Sequence, residues 1–398
     1  MVGRTWKRRV ALVVGACVIA VPALGHTRGR PAAPATAAPA PEATGPSAYY
    51  VVDQDSGTVL AEKDAHKRWP PASMTKMMTV LIAMERVRDG SLSLDEPVHA
   101  SAWASKMGGS QVYLAAGETF PLREMLKAIM IASANDAAEA VAEHIAGSAP
   151  AFVDLMNARA KALGLADTTY ASPHGLPPSA GQAMDLSSAH DLAVLGRELM
   201  HFPEVVAWAG TDTAGFRNDT LQMRNTNHLV RTYPGATGLK TGYHGQSGFC
   251  VTASATRNDL RVIAVVLGMP TKEGSFREAA RLMNEAFTGY RAVVGAKRGT
   301  KVGDVAVSGG DAPSVQALAT DDLRVLVKRG EDKDVAVEAR VPRLVSAPVQ
   351  KQQALGEIVV RRGTEEIGRV PVVADRDVAA TGWFSWFWNR NVVTAATP

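Results

Sequence analysis

Three short clusters in this 398-residue chain hold residue types able to perform nucleophilic chemistry: Ser73-Met74-Thr75-Lys76, Ser133-Ala134-Asn135 and Lys240-Thr241-Gly242. Each is common by itself. The ordered set is not, with Ser133 following Ser73 by 60 positions and Lys240 following Ser133 by 107. A serine hydroxyl is a weak nucleophile until a base stands beside it. Three residues after a helical serine, a lysine lies on the same face, so the Lys76 amine can reach the Ser73 hydroxyl. It works as a base only if its pKa falls well below the ordinary value of about 10.4. Burial and a second cation both push in that direction, and Lys240 is the candidate second cation. Ser133 can relay a proton to a leaving amine, Asn135 can hold a substrate amide, and Gly242 lets a substrate backbone approach a strand closely.

The elements needed to position these groups are legible around them. Pro70 and Pro71 precede Ser73, where proline is tolerated at a helix start. From Met74 the chain is almost entirely apolar after its first turn, which predicts a buried helix over Ser73–Val87. Ser73 then sits at a helix N-terminus, which favours developing negative charge. Further helices are expected at Leu122–Ile131, Ala134–Ile145, Ala149–Leu163, Ser187–Met200 and Phe276–Tyr290. Ser133-Ala134-Asn135 falls on the short loop between two of them, a usual place for catalytic groups. Ala48–Glu62 predicts a hairpin turning at Ser56-Gly57, and residues 246–268 a second hairpin turning at Asn258-Asp259. Strands at both ends with helices between them predict an α+β domain, an antiparallel sheet flanked by helices. Beyond Arg291 short alternating runs separated by Gly- and Asp-rich turns predict a small C-terminal all-β domain.

The ordered triplet resembles that of the penicillin-binding proteins and class A β-lactamases. Ala48–Leu60, Pro71–Thr79, Ser172-Pro173-His174-Gly175-Leu176, Ser187–Ala193 and Gly238–Tyr243 are similar to the D-alanyl-D-alanine carboxypeptidases, the low-molecular-mass penicillin-binding proteins. The resemblance spans Ala48 to Tyr290 and weakens toward the C-terminus. One departure is Ala134, where the family usually carries Gly. The resemblance implies a serine peptidase acting on peptidoglycan stem peptides, with Ser73, Lys76 and Ser133 catalytic. Asn135, Lys240, Thr241, Gly242 and Tyr243 would bind substrate, and the backbone N–H groups of Ser73 and Tyr243 would form the oxyanion hole. β-Lactam antibiotics would acylate Ser73. It implies no cofactor and no metal, and His144, His190 and His228 have no partners at metal-ligand spacing. His174 reads as structural, and Arg224 as a candidate for a substrate carboxylate.

Composition sets the remaining bounds. The formal charge of +4 is supplied by Arg4, Lys7, Arg8 and Arg9, which leaves the rest of the chain without net charge and gives no basis for nucleic-acid binding. Those cations precede the apolar run Val10–Leu24, too short for a span. Residues 1–25 therefore read as a signal peptide, and 26–46 as an Ala/Pro-rich linker. The peptidase domain is expected over 47–290, the β domain over 291–375, and a tail over 376–398. Five aromatics within Trp383–Trp388 suit a membrane interface. An exported enzyme, tethered peripherally to the outer face of the cytoplasmic membrane, is expected. Cys250 on a strand reads as a buried small hydrophobe. Three alternatives stand beside the carboxypeptidase: a D,D-endopeptidase, a β-lactamase, and a non-catalytic muropeptide or β-lactam sensor. No Glu lies within Gly164–Leu176, where a class A β-lactamase places its deacylating carboxylate.

Overall fold

A computed structural model describes residues 45–179 and 181–381. The expected signal segment and the aromatic run Trp383–Trp388 lie outside the described residues. Strands β1 (Ala48–Asp53) and β2 (Val59–Lys63) form the first hairpin. A single 3₁₀ turn, Ala72–Thr75, leads into α1 (Lys76–Arg88). A short ribbon, β3 (Pro97–His99) with β4 (Thr119–Pro121), precedes α2 (Leu122–Ile131), α3 (Asn135–Ala146) and α4 (Ala149–Ala162). Helices α5 (Ala189–Leu199) and α6 (Pro203–Ala209), the hairpin β5 (Thr213–Phe216)–β6 (Leu221–Arg224) and the single turn α7 (Leu229–Thr232) follow. Strands β7 (Ala236–His244), β8 (Gly248–Arg257) and β9 (Leu260–Met269) and helix α8 (Lys272–Gly289) close this part of the chain.

Its sheet has the order β2-β1-β9-β8-β7 and is antiparallel throughout. The period of two along β9 explains why the sheet is covered on both faces. Ile263, Val265 and Leu267 point into a core shared with α1 to α5. Leu260, Val262, Ala264 and Val266 point into a second core against Phe276, Leu282 and Met283 of α8. Helix α1 is apolar around most of its girth and is buried from Lys76 to Met84, as its sequence requires.

The all-β region begins directly at the end of α8 with β10 (Tyr290–Ala296). It continues through β11 (Lys301–Ser308), β12 (Ser314–Ala319), β13 (Leu323–Lys328), β14 (Val335–Arg340), β15 (Leu344–Ser346), β16 (Ala354–Arg362) and β17 (Glu365–Ala374). Six of these strands form one sheet and β10 pairs with β13. Val305, Val315, Val325, Val360 and Val372 fill their own core. The structure corrects the expected start of the tail at 376. Val378 is buried in the β core, and Val349–Val378 and Gly310–Ala380 bridges carry the packing to the last described residues.

Candidate active site

Ser73 is half-buried in the 3₁₀ turn that precedes α1, not in the helix itself. Ala72 immediately before it has φ 48°, a left-handed conformation costing an L-residue of order 1–2 kcal/mol. The turn is pressed from two sides. An ideal Cβ at Gly175 would stand 2.0 Å from the Ala72 carbonyl oxygen. One at Gly242 would stand 2.3 Å from the Pro71 oxygen and 3.2 Å from the Ser73 nitrogen. Only glycine admits such an approach, so the loop at 175 and strand β7 grip the backbone around Ser73 between them.

Lys76 is the first residue of α1 and fully buried. Its Nζ donates to Ser73 Oγ at 2.9 Å and to the His174 carbonyl at 2.5 Å. Burial lowers its pKa far below the ordinary lysine value, and the charge of Lys240 lowers it further, against weaker opposition from Asp185 and Asp136. Lys240, also fully buried, is brought down to about 7 by burial. Among the described residues its Nζ has only the Thr241 carbonyl as a hydrogen-bond acceptor, at 3.3 Å. Two buried ammonium groups near each other cannot both stay charged without cost, which is how a lysine becomes a base at neutral pH.

Ser133 lies in the turn between α2 and α3 with φ 62° and is 3% exposed. Asn135, expected on the loop, is the first residue of α3. Its Nδ2 donates to the Gly108 carbonyl at 2.6 Å, while its buried Oδ1 has no partner among the described residues. A buried acceptor left open is costly and suits an amide N–H arriving with a ligand. Next to it Asp136 accepts from the backbone N–H groups of Val112 and Leu114, at 3.2 and 3.0 Å. That ties the 108–114 segment to α3.

Ser73, Ser133, Thr241, Gly242 and Tyr243 line one cleft of about 230 Å³. Tyr243 is exposed and stacks on Phe249 at 4.1 Å between ring centres. Four further polar residues line it that no sequence motif marks, Ser110, Thr226, Lys272 and Ser275. Thr226 accepts a hydrogen bond from Thr241 at 2.8 Å. Lys272, at the start of α8, is the one charged side chain lining this cleft among the described residues. No motif announced these residues: Lys272 and Ser275 come from the start of α8, Thr226 from the segment after β6 and Ser110 from the segment tied to α3. Arg224, the candidate for a substrate carboxylate, is exposed on β6 and does not line the cleft.

The wall behind Lys76 is the segment Ala171–Gly175. Asp185 holds it by accepting from Ala171 N, Ser172 N and Ser172 Oγ at 2.7, 3.1 and 2.7 Å. Thr79 Oγ1 donates to the Pro173 carbonyl at 2.6 Å. His174 contributes its backbone carbonyl to Lys76, and its ring Nε2 lies 3.8 Å from Glu139. Burial and the nearby Lys76 charge drop its pKa to about 3, so the ring is neutral. His144 pairs with Glu96 at 2.5 Å, His190 with Asp191 at 2.9 Å, and His228 stacks on Phe276. Cys250 is buried, and its thiol is pushed up to about 12.

Comparison with known proteins decides the family. Residues 34–271 match the D-alanyl-D-alanine carboxypeptidase family, and residues 291–380 match the penicillin-binding protein 5 C-terminal domain. The chain belongs to the D-alanyl-D-alanine carboxypeptidase family. It is 37% identical to D-alanyl-D-alanine carboxypeptidase DacF of Bacillus subtilis over 340 residues, covering 84% of this chain and 86% of that one. The fold is similar to penicillin-binding protein 5 of Haemophilus influenzae, with a TM-score of 0.64 at 28% identity, covering 85% of this chain and 99% of that one. It is also similar to penicillin-binding protein D2 of Listeria monocytogenes in its ampicillin-bound form, with a TM-score of 0.56 at 31% identity over 61% of this chain and 97% of the other. This carboxypeptidase is thus a serine-type hydrolase of D-Ala-D-Ala peptides, a low-molecular-mass penicillin-binding protein.

Proposed function

We propose that the enzyme trims the terminal D-Ala from stem pentapeptides, with the roles of its residues as follows. Neutral Lys76 takes the Ser73 proton as Oγ bonds to the carbonyl carbon between the two D-alanines. The N–H groups of Ser73 and Tyr243 meet the developing oxyanion, each worth roughly 3–4 kcal/mol. The carbon–nitrogen bond then breaks, and Ser133, beside Lys240, passes a proton to the departing amine. Water cleaves the acyl-enzyme and returns Ser73. Asn135 and β7 hold the peptide backbone. The observation that carries this reading is the 2.9 Å contact between Ser73 Oγ and a fully buried Lys76 whose charge is disfavoured.

Lys272 is the residue that would select a chain end, since a free terminal carboxylate is an anion and an internal peptide bond is not. The cleft offers it Lys272, Thr241 and Ser275 and, among the described residues, no acidic side chain. The β-lactamase alternative is disfavoured because the segment facing Lys76 presents a backbone carbonyl, with no Glu there to activate the deacylating water. Export through residues 1–25 and interfacial membrane attachment through Trp383–Arg390 complete the reading. Among the described residues no helix is long and apolar enough to cross a membrane.

Mass spectrometry of muropeptides after incubation with the purified protein tests the substrate assignment. The expected result is conversion of pentapeptide to tetrapeptide plus free D-Ala, with cross-linked dimer left intact. Cleavage of the dimer at a comparable rate would make it an endopeptidase.

A further inference from the structure

The Ser172–Ser179 segment walls the catalytic site on one side and a second cavity, of about 950 Å³, on the other. Glu139, Glu143 and Asp154 line that cavity against a single lysine, Lys106. Asp185 also lines it, but its carboxylate is occupied by the backbone of Ala171 and Ser172. Glu139 is the informative residue. It sits on α3 one turn after Asn135, and its side chain is 2% exposed. Among the described residues no Lys or Arg pairs with it. Its neighbours are the Trp103 indole and His174 Nε2, the latter 3.8 Å away. His174 is neutral and is not a counter-ion. A buried carboxylate with no cation beside it is costly. Burial, and then the like charge of Glu143, raise its pKa to about 7.

The cavity adjoins the place where a substrate backbone is held. Gly108 lines it, and the Gly108 carbonyl fixes Asn135 Nδ2. The space an ideal Cβ would take at Gly109 lies between Asn135 Nδ2 and Leu176. Hence the 107–110 segment and Leu176 are what stand between the cavity and the open Oδ1 of Asn135. A peptide with its scissile carbonyl at Ser73 runs its preceding residue past Asn135. We propose that this cavity receives the primary ammonium group on the side chain of the stem peptide's third residue, with Glu139 and Glu143 as its counter-charges. This deepens the stem-peptide reading and rests on it.

The test compares kcat/KM for Nα-acetyl-L-Lys-D-Ala-D-Ala, whose ε-amine is free, with the Nα,Nε-diacetyl peptide, using the wild-type protein, Glu139→Gln and Glu143→Gln. The wild type is expected to favour the free amine by about tenfold, the scale of a partly buried charge pair. Glu139→Gln should abolish the preference and Glu143→Gln reduce it, while penicillin acylation and turnover of the diacetyl peptide stay the same. No preference in the wild type, or an undiminished one in both variants, would overturn the proposal. Should Glu139→Gln fail to fold, the partly exposed Glu143 decides alone: a reduced preference supports the site and an unchanged one overturns it. Failure to cleave either peptide by a protein that still acylates with penicillin would instead refute the stem-peptide reading.

Discussion

At the residue scale, removal from water and a second cation nearby disfavour the charge on Lys76, which is the condition for the base role we propose for it. Replacing Lys76 with Arg keeps the charge but not the function, because guanidinium does not deprotonate in a protein. Acylation by fluorescent penicillin should then fall by about 10²–10⁴; a rate near wild type would reduce Lys76 to an electrostatic helper. Lys240→Gln makes the converse test. The Lys240 charge depresses Lys76, so removing it raises the Lys76 pKa. Since the neutral amine is the active form, the acidic limb of the kcat/KM profile should move to higher pH. A shift to lower pH would contradict the assignment. The types and spacing of Ser73, Lys76, Ser133, Asn135 and Lys240 were readable because side-chain chemistry is written in residue identity. The His174 carbonyl that receives Lys76 Nζ was not, because every residue has a carbonyl and only the fold says which one faces inward. The left-handed φ of Ala72 and Ser133 was equally hidden, since neither residue type asks for it.

At the element scale the grip on the Ala72–Thr75 turn matters more than any single hydrogen bond. Gly242→Ala would place a methyl group against the Pro71 oxygen and the Ser73 nitrogen. Strand β7 or the turn must move, and both carry proposed site residues. We expect penicillin acylation to drop by at least about tenfold, as ångström-scale misplacement does, with thermal stability lowered by a few degrees at most. Unfolding of the variant, or unchanged acylation, would show that the contact does not set the site. Helix boundaries were legible where the apolar periodicity was strong, as for α2, and where a cap agreed with it, as for α4 with Ser148. The start of α8 was placed four residues late because Lys272–Ser275 is polar, yet Thr271 caps it there by accepting from Gly274 N at 3.1 Å. That error concealed Lys272. The short strands β3 to β6 and the turn α7 escaped notice because three or four residues carry too little pattern to read.

At the scale of the whole molecule the peptidase fold and the β region keep separate cores. Every proposed site residue precedes Arg291, and among the described residues the β region brings no side chain to the cleft at Ser73. Strands β11, β13, β14, β16 and β17 were visible as alternating runs, while β10, β12 and the three-residue β15 were not. The burial of Val378 and the bridges reaching Ala380 set where a tail deletion must begin. A chain ending at Thr381 should keep full D-Ala release and move from the membrane pellet to the soluble fraction. Continued pelleting would point to residues 10–24 as the anchor, and N-terminal sequencing would show whether they remain. The most direct test of the central claim is the intact mass of the full protein after incubation with benzylpenicillin, followed by mapping of the adduct. The expected result is one penicilloyl group on the peptide that contains Ser73, and none on Ser73→Ala, which also releases no D-Ala. A covalent adduct that persists in Ser73→Ala, or D-Ala release by that variant, would contradict Ser73 as the nucleophile.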